Sequence, residues 1–247
     1  MIKFFRKIRQ NLLNEGKTSR YLKYAIGEIV LVVIGILIAL QINTWNESYK
    51  NKVSESMYLN EMMEDFGINL ERSNRLIKRI NELIPALIGL LEQSVMEKQT
   101  ITIDSLNNAF ALVGSMPTYT STDRVYNNLI GSGDFKLISN SELKTALASY
   151  YKVLDLLNLV QSSHEMIHVQ TFSPYIIDNL DYTALKNRSF GHKLPKPVDK
   201  NIILNVVKSL KFRNIITAKI RVLSDLQERY MEIQVINDHI IQLLRSR

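Results

Sequence analysis

The chain of 247 residues contains no cysteine. That absence excludes disulfide staples, thiolate nucleophiles, cysteine zinc ligands and attachment of a lipid through a thiol. Interruptions are scarce as well: between Trp45 and Leu83 the only helix-weakening residue is Gly67, a disadvantage of about 1 kcal/mol relative to alanine. Missing too, from Tyr49 onward, is the apolar–polar alternation that marks strands. Positive charge totals a net +7, yet little of it lies outside the N-terminus. Lys3, Arg6, Lys7, Arg9, Lys17, Arg20 and Lys23 against Glu15 give residues 1–24 a net +6, and Glu28 subtracts one. About +2 is left for the remaining two hundred residues, so the basicity belongs to a tail and no nucleic-acid partner is expected.

What is present first is Ala25–Ile42, the run AIGEIVLVVIGILIALQI. Eighteen helical residues measure about 27 Å, close to the hydrocarbon core of a bilayer. Lysine and arginine are retained on the cytoplasmic side, which predicts a single-pass inner-membrane protein with its N-terminus inside. The expected layout is a basic cytoplasmic tail (1–24), a transmembrane helix (25–45) and an exported α-helical domain (46–247). Ile38–Asn43 offers no small-x-small site, so the span is expected to stay attached rather than be cleaved. Tyr21 and Tyr24 on one side and Trp45 on the other suit the two headgroup layers. Glu28 sits about 4.5 Å inside the run, either reaching the interface near a helix N-terminus or meeting a partner. In MIKFFRKIRQNLL, Phe5, Ile8 and Leu12 fall at helical spacing between basic residues, the pattern of a short helix on anionic headgroups, with Gly16 as the joint. Gly27, Gly35 and Ala39 lie near one face, where a second helix could approach closely.

Taken together, MIKFFRKIRQNLL, YLKYAIGEIVLVVIGILIALQI and NTWNE closely resemble the N-terminal signature of a family of single-span membrane proteins from Bacteroidetes, over about the first fifth of the chain. A looser likeness returns around NLIGSGDFKLISNSELKTALASYY. The resemblance implies an anchored envelope protein with a mostly helical exported part. The family has no established activity and supplies no catalytic residues.

Past Tyr49 the periodicity is helical, and the fold class is read as all-α. Leu59, Met63, Phe66, Leu70, Ser73, Ile77, Ile80, Ile84, Leu87 and Leu91 step by four and three, a heptad seam. Two readings compete for it: a parallel coiled-coil stem between two chains, or an intramolecular bundle. Met62, Leu76, Leu83, Ile88 and Leu90 widen the stripe and favour the bundle. Pro85 is expected to kink or end this helix, which otherwise continues the span without a break and fades near Gln99. A short helix capped by Asp104 and ending near Gly114 follows. Another is expected from Ser121 or Thr122 to Gly131-Ser132-Gly133. A capping box at Ser139-x-x-Glu142 opens a long helix to about Phe172, ended by Pro174. The loop Asn187–Pro197 interrupts the bundle, and Asp199 caps a last helix carrying Ile216, Ile220, Leu223, Leu226, Tyr230, Ile233, Ile236, Ile240 and Leu243.

The sharpest chemical signal is His164-Glu165-Met166-Ile167-His168. On a helix both imidazoles share a face and suit one zinc, with Glu165 beside them as general base. Against this stand Thr171 and Pro174, where the extended zinc-peptidase pattern has glycine and histidine. No third ligand stands out among Asp178, Asp181 and His192, and no strand is available to hold a peptide. The bland reading is two polar residues at the rim of a bundle helix. Gly131-Ser132-Gly133 reads as a helix stop rather than a phosphate loop. Glu61, Glu64 and Asp65 read as a solvated face, and Tyr119, Tyr126, Tyr150 and Tyr151 as core packing. The expectation is therefore a non-catalytic interaction or sensing module with no catalytic residues and no cofactor. Its expected partners are the bilayer and either an envelope protein or a second copy. A zinc hydrolase at residues 164–168 and an assembly subunit are the alternatives.

Overall fold

The computed structural model describes residues 18–97, 111–179 and 205–246. About nine-tenths of these are helical, and no strand occurs among them. The tail helix, the caps at Asp104 and Asp199, the loop 187–197, the end near Gln99 and residues Asp181 and His192 fall outside the described residues. In chain order the elements are α1 (Thr18–Val95), α2 (Arg124–Ser132), a 3₁₀ turn (Asp134–Leu137), α3 (Ser141–Ile167), a π-helical turn (His168–Phe172), α4 (Ser173–Asn179) and α5 (Leu210–Arg245). Contacts divide the chain into two units, Met1–Met57 and Tyr58–Arg247, and α1 runs through both.

In the first unit α1 buries almost nothing. Val30, Leu31, Val32, Val33, Ile34, Ile36, Leu37 and Ile38 are all exposed, so apolar surface faces every direction around the helix. An eighteen-residue window reaches a mean hydropathy of 2.6 with none of it buried, long and apolar enough to cross a membrane. At the end of the run the polar side chains bond within their own helix. Thr44 donates to the Leu40 carbonyl at 2.9 Å, and Asn43 donates to Glu47 at 3.2 Å.

The second unit is a bundle in which α1, α3 and α5 each bury one stripe. On α5 the stripe is Phe212, Ile216, Lys219, Leu223, Leu226, Tyr230, Ile233, Asn237, Ile240 and Leu244, an unbroken alternation of four and three. On α1 it is Met62, Phe66, Asn69, Ser73, Ile80, Leu83, Leu87, Leu90 and Ser94, with half-buried Leu76 completing the rhythm. The expected α1 seam is thus displaced: it shares Phe66, Ser73, Ile80 and Leu87, while Leu59, Met63, Leu70, Ile77, Ile84 and Leu91 flank the stripe, and Ile88 is exposed. The interior of this one chain covers the stripe, as an intramolecular bundle requires. α3 and α5 are the closest-packed helices, and they run antiparallel, with His164 beside Lys219 near one end and Glu142 beside His239 near the other.

Several local expectations are corrected. Pro85 does not end α1, which continues to Val95. α2 begins two to three residues later than expected, at Arg124. Its first turn takes a carboxylate from another helix, Asp65 on α1, which accepts the Val125 N–H at 3.2 Å. Gly133, at φ 76°, closes α2 as a left-handed cap, its N–H directed to Ile130 and Leu129, as the glycines implied. The N-cap of α3 is Asn140, not Ser139; its side chain accepts the Leu143 N–H at 3.0 Å. Pro174 sits inside α4 rather than ending a helix. The preceding turn is wide, the Ser173 N–H reaching back five residues to His168, and a widened turn relieves the clash of a proline ring with the carbonyl four residues earlier.

Candidate functional site: a strap gripped by helix side chains

Between Gly114 and α2 the chain runs through Ser115–Asp123 without regular secondary structure. Backbone groups buried in such a segment still need partners, and no sheet supplies them. Helix side chains do. Asn69 on α1 accepts the Thr122 N–H at 2.7 Å and donates to the Thr122 carbonyl at 2.9 Å. Gln161 on α3 treats Tyr119 alike, accepting its N–H at 2.6 Å and donating to its carbonyl at 3.1 Å. Each amide side chain thus pairs with one backbone residue as a neighbouring strand would. Arg72 reaches the Thr120 carbonyl, and Tyr230 on α5 donates to the Pro117 carbonyl at 2.8 Å.

Lys219 holds the start of the strap. Its side chain is wholly buried, with Nζ 2.7 Å from the Ser115 carbonyl, 2.9 Å from Nε2 of His164 and 5.1 Å from the centre of the Phe172 ring. An ammonium only donates, so Nε2 accepts and the neutral imidazole carries its proton on Nδ1. Burial pulls His164 down to about 4, and the Lys219 charge and then His168 press the same way. Burial pulls Lys219 down to about 8, which leaves it charged at neutral pH. His168 is lowered by burial and then by Lys219. The π-turn that begins at His168 brings Phe172 under the ammonium.

The expected zinc pair is therefore placed as follows. His164 points into the bundle, Glu165 is exposed and His168 is half-buried. The lone pair that a metal would take on His164 is occupied by Lys219, and a fixed ammonium 2.9 Å away opposes a second cation. Nδ1 of His168 is buried without a hydrogen-bond partner among the described residues. No cluster of three or more His, Asp or Glu suited to a metal occurs among the described residues. Of the membrane-interface residues, Tyr24 and Trp45 are exposed and Glu28 is partly covered, while the Tyr21 side chain lies outside the description.

Tyr119 of the strap belongs to an aromatic group that continues into α1, α2 and α3. The hydroxyls of Tyr119 and Tyr150 are 2.8 Å apart, and Phe66 meets Tyr150 edge-on at 5.0 Å. Tyr126 stacks on Tyr151 at 3.7 Å. Burial pushes all of Tyr119, Tyr150, Tyr151 and Tyr230 up from the ordinary phenol value, so they stay protonated donors. The acidic trio is not a solvated face. Asp65 is buried as the cap of α2, Glu61 pairs with Arg124 at 3.0 Å, and only Glu64 is exposed. Sequence reasoning missed Asn69, Arg72, Gln161, Lys219 and Asn237. The signal was there: Asn69, Lys219 and Asn237 are polar residues in slots of a four-three rhythm otherwise filled by apolar ones.

Residues 28–163, more than half of the chain, match the pattern of a family described as a family of unknown function, DUF6090. The matched stretch contains the strap, both of its amide grips and most of α3, and ends one residue before His164. Neither a curated protein nor a solved structure matches the chain.

Proposed function

The chain belongs to the family of unknown function DUF6090, and from that premise we propose that it is a single-pass, membrane-anchored protein whose helical bundle works by non-catalytic interaction or sensing in the cell envelope. The observation that carries this reading is the double use of α1. Its early residues leave an apolar window entirely unburied, and its later residues supply a core stripe of a bundle. The positive tail supports an N-terminus on the cytoplasmic side of the inner membrane, against anionic headgroups, and an exported bundle. The resemblance of residues 1–47 to single-span proteins of Bacteroidetes supports the same placement. With His164 engaged by Lys219, the segment 164–168 reads as part of a structural grip.

A second reading, a subunit of a membrane assembly that meets an envelope protein or a second copy, is favoured by Trp45, Tyr49, Val53 and Met57. They follow one another at steps of four on α1 and are all exposed. Gly35→Ile should disrupt such an assembly, because nothing lies within 4 Å of a Cβ placed there and the face is open to a partner helix. The discriminating experiment against the hydrolase alternative is zinc content by elemental mass spectrometry on the full chain beside His164→Ala. No bound zinc in either protein is the expected result. One zinc per chain, lost in the variant, would overturn the non-catalytic reading.

A further inference from the structure

The grips on the strap divide by origin. Residues 115, 117 and 119 are held from α5 and α3, by Lys219, Tyr230 and Gln161. Residues 120 and 122, and Val125 just beyond the strap in the first turn of α2, are held from α1, by Arg72, Asn69 and Asp65. The changeover falls at the peptide between Tyr119 and Thr120. Asp65, Asn69 and Arg72 are spaced by four and three, so one face of α1 makes all of its grips. Among the described residues, the side-chain hydrogen bonds between α1 and α5 are the exposed amide pairs Asn74 with Gln234 and Asn81 with Gln227.

We infer that the strap Ser115–Asp123 is a two-sided clasp that registers α1 against the α3–α5 pair and opens as one unit, loosening α1 when it does. The physical reason lies in directionality. Apolar stripes tolerate small slides because their attraction has no direction. A cyclic amide pair is less tolerant, since a slide of one residue, about 1.5 Å, stretches bonds of 2.7 and 2.9 Å to at least about 3.1–3.3 Å and tilts both away from straight at once. Once one side lets go, the short strap loses the anchor that fixes the position of its remaining groups, among them buried Pro117 and Tyr119, and the directional bonds on the other side weaken with it, which favours complete release over a half-open state. A gradual displacement of α1 is thereby converted into two discrete states. This inference rests on the bundle alone and stands whether or not the chain is anchored.

Hydrogen exchange read by mass spectrometry on the full chain in detergent micelles tests it, comparing the parent with Asn69→Leu, Gln161→Leu and Arg72→Leu. Each variant should raise exchange across Tyr119, Thr122 and Val125 alike by at least about tenfold. Exchange in residues 65–73 of α1 should rise with the strap, while α3 and α5 stay protected. An increase confined to the half whose grip was removed would overturn the clasp. Should either amide variant lose its helical circular dichroism, Arg72→Leu decides the matter, because that side chain is only half-buried. Faster exchange at Tyr119, which α3 holds, supports the clasp; a change at 120–122 alone refutes it.

Discussion

Along α1, the stretch before Met57 and the stretch after it obey opposite rules. In the first, apolar side chains are exposed on every face; in the second, polar Asn69 and Ser73 are wholly buried. The usual pattern of apolar inside and polar outside fails in the first and, in the second, is broken at Asp65, Asn69, Ser73 and Ser94. What unites the stretches is the partner. An apolar surface bare all round the helix suits a lipid surrounding. A buried amide is tolerated where each donor and acceptor meets a backbone group, as at Asn69. At Asn69 polarity thus follows satisfaction rather than depth.

The sharpest way to break that account is to remove a partner from the bundle interior. Lys219→Met keeps the length of the side chain but leaves the Ser115 carbonyl and His164 Nε2 unpaired in the core. Loss of about 3 kcal/mol is expected, read as a lower midpoint of chemical unfolding in detergent. If buried polar groups were merely tolerated, this variant would be as stable as the parent. A smaller effect concerns pH. The folded value of His164, about 4, lies below its ordinary 6.5, so the unfolded chain binds the proton first as pH falls. The His164 contribution should be full above about 6.5, decline on the order of 1 kcal/mol per unit below it, and level off near 4, with His168 acting in the same direction. His164→Gln should flatten this part of the curve, and an unchanged slope would remove His164 from the account. The smallest effect has the opposite sign. Asn237 is fully buried and its amide makes no well-formed hydrogen bond among the described residues, although it stands near enough to the Tyr119 hydroxyl to favour that group's ionised form. Asn237→Leu should therefore raise the thermal midpoint, by about 1 kcal/mol of stability. A lower midpoint would show that the amide does carry a contact.

Much of this was legible in the sequence, and the part that was not has one physical source. Fold class, the apolar span, the glycine stop of α2 and the heptad rhythm all follow from local spacing. The phase of the rhythm did not. Selecting apolar residues chose Ile220, Ile236 and Leu243 on α5 and passed over Lys219, Asn237 and Leu244, which are the buried ones. Selection by polarity fails where a core slot serves a distant backbone, because the demand comes from residues about a hundred positions away, as Ser115 is from Lys219. The cap of α2 was hidden in the same way, its acceptor being Asp65 and not a neighbour. Pro174 misled because a wide turn absorbs it, and nothing in the order of residues 168–173 announces that turn.

The central claim, that α1 anchors the chain with its tail inside and its bundle outside, is open to direct measurement because the chain has no cysteine of its own. Single cysteines in place of Asn11 and Ser246, probed in intact spheroplasts with a membrane-impermeant maleimide, report the two ends separately. The account predicts that Ser246→Cys is labelled and that Asn11→Cys is labelled only after the membrane is permeabilised. Labelling of Asn11→Cys with Ser246→Cys protected, or protection of both until lysis, would contradict it.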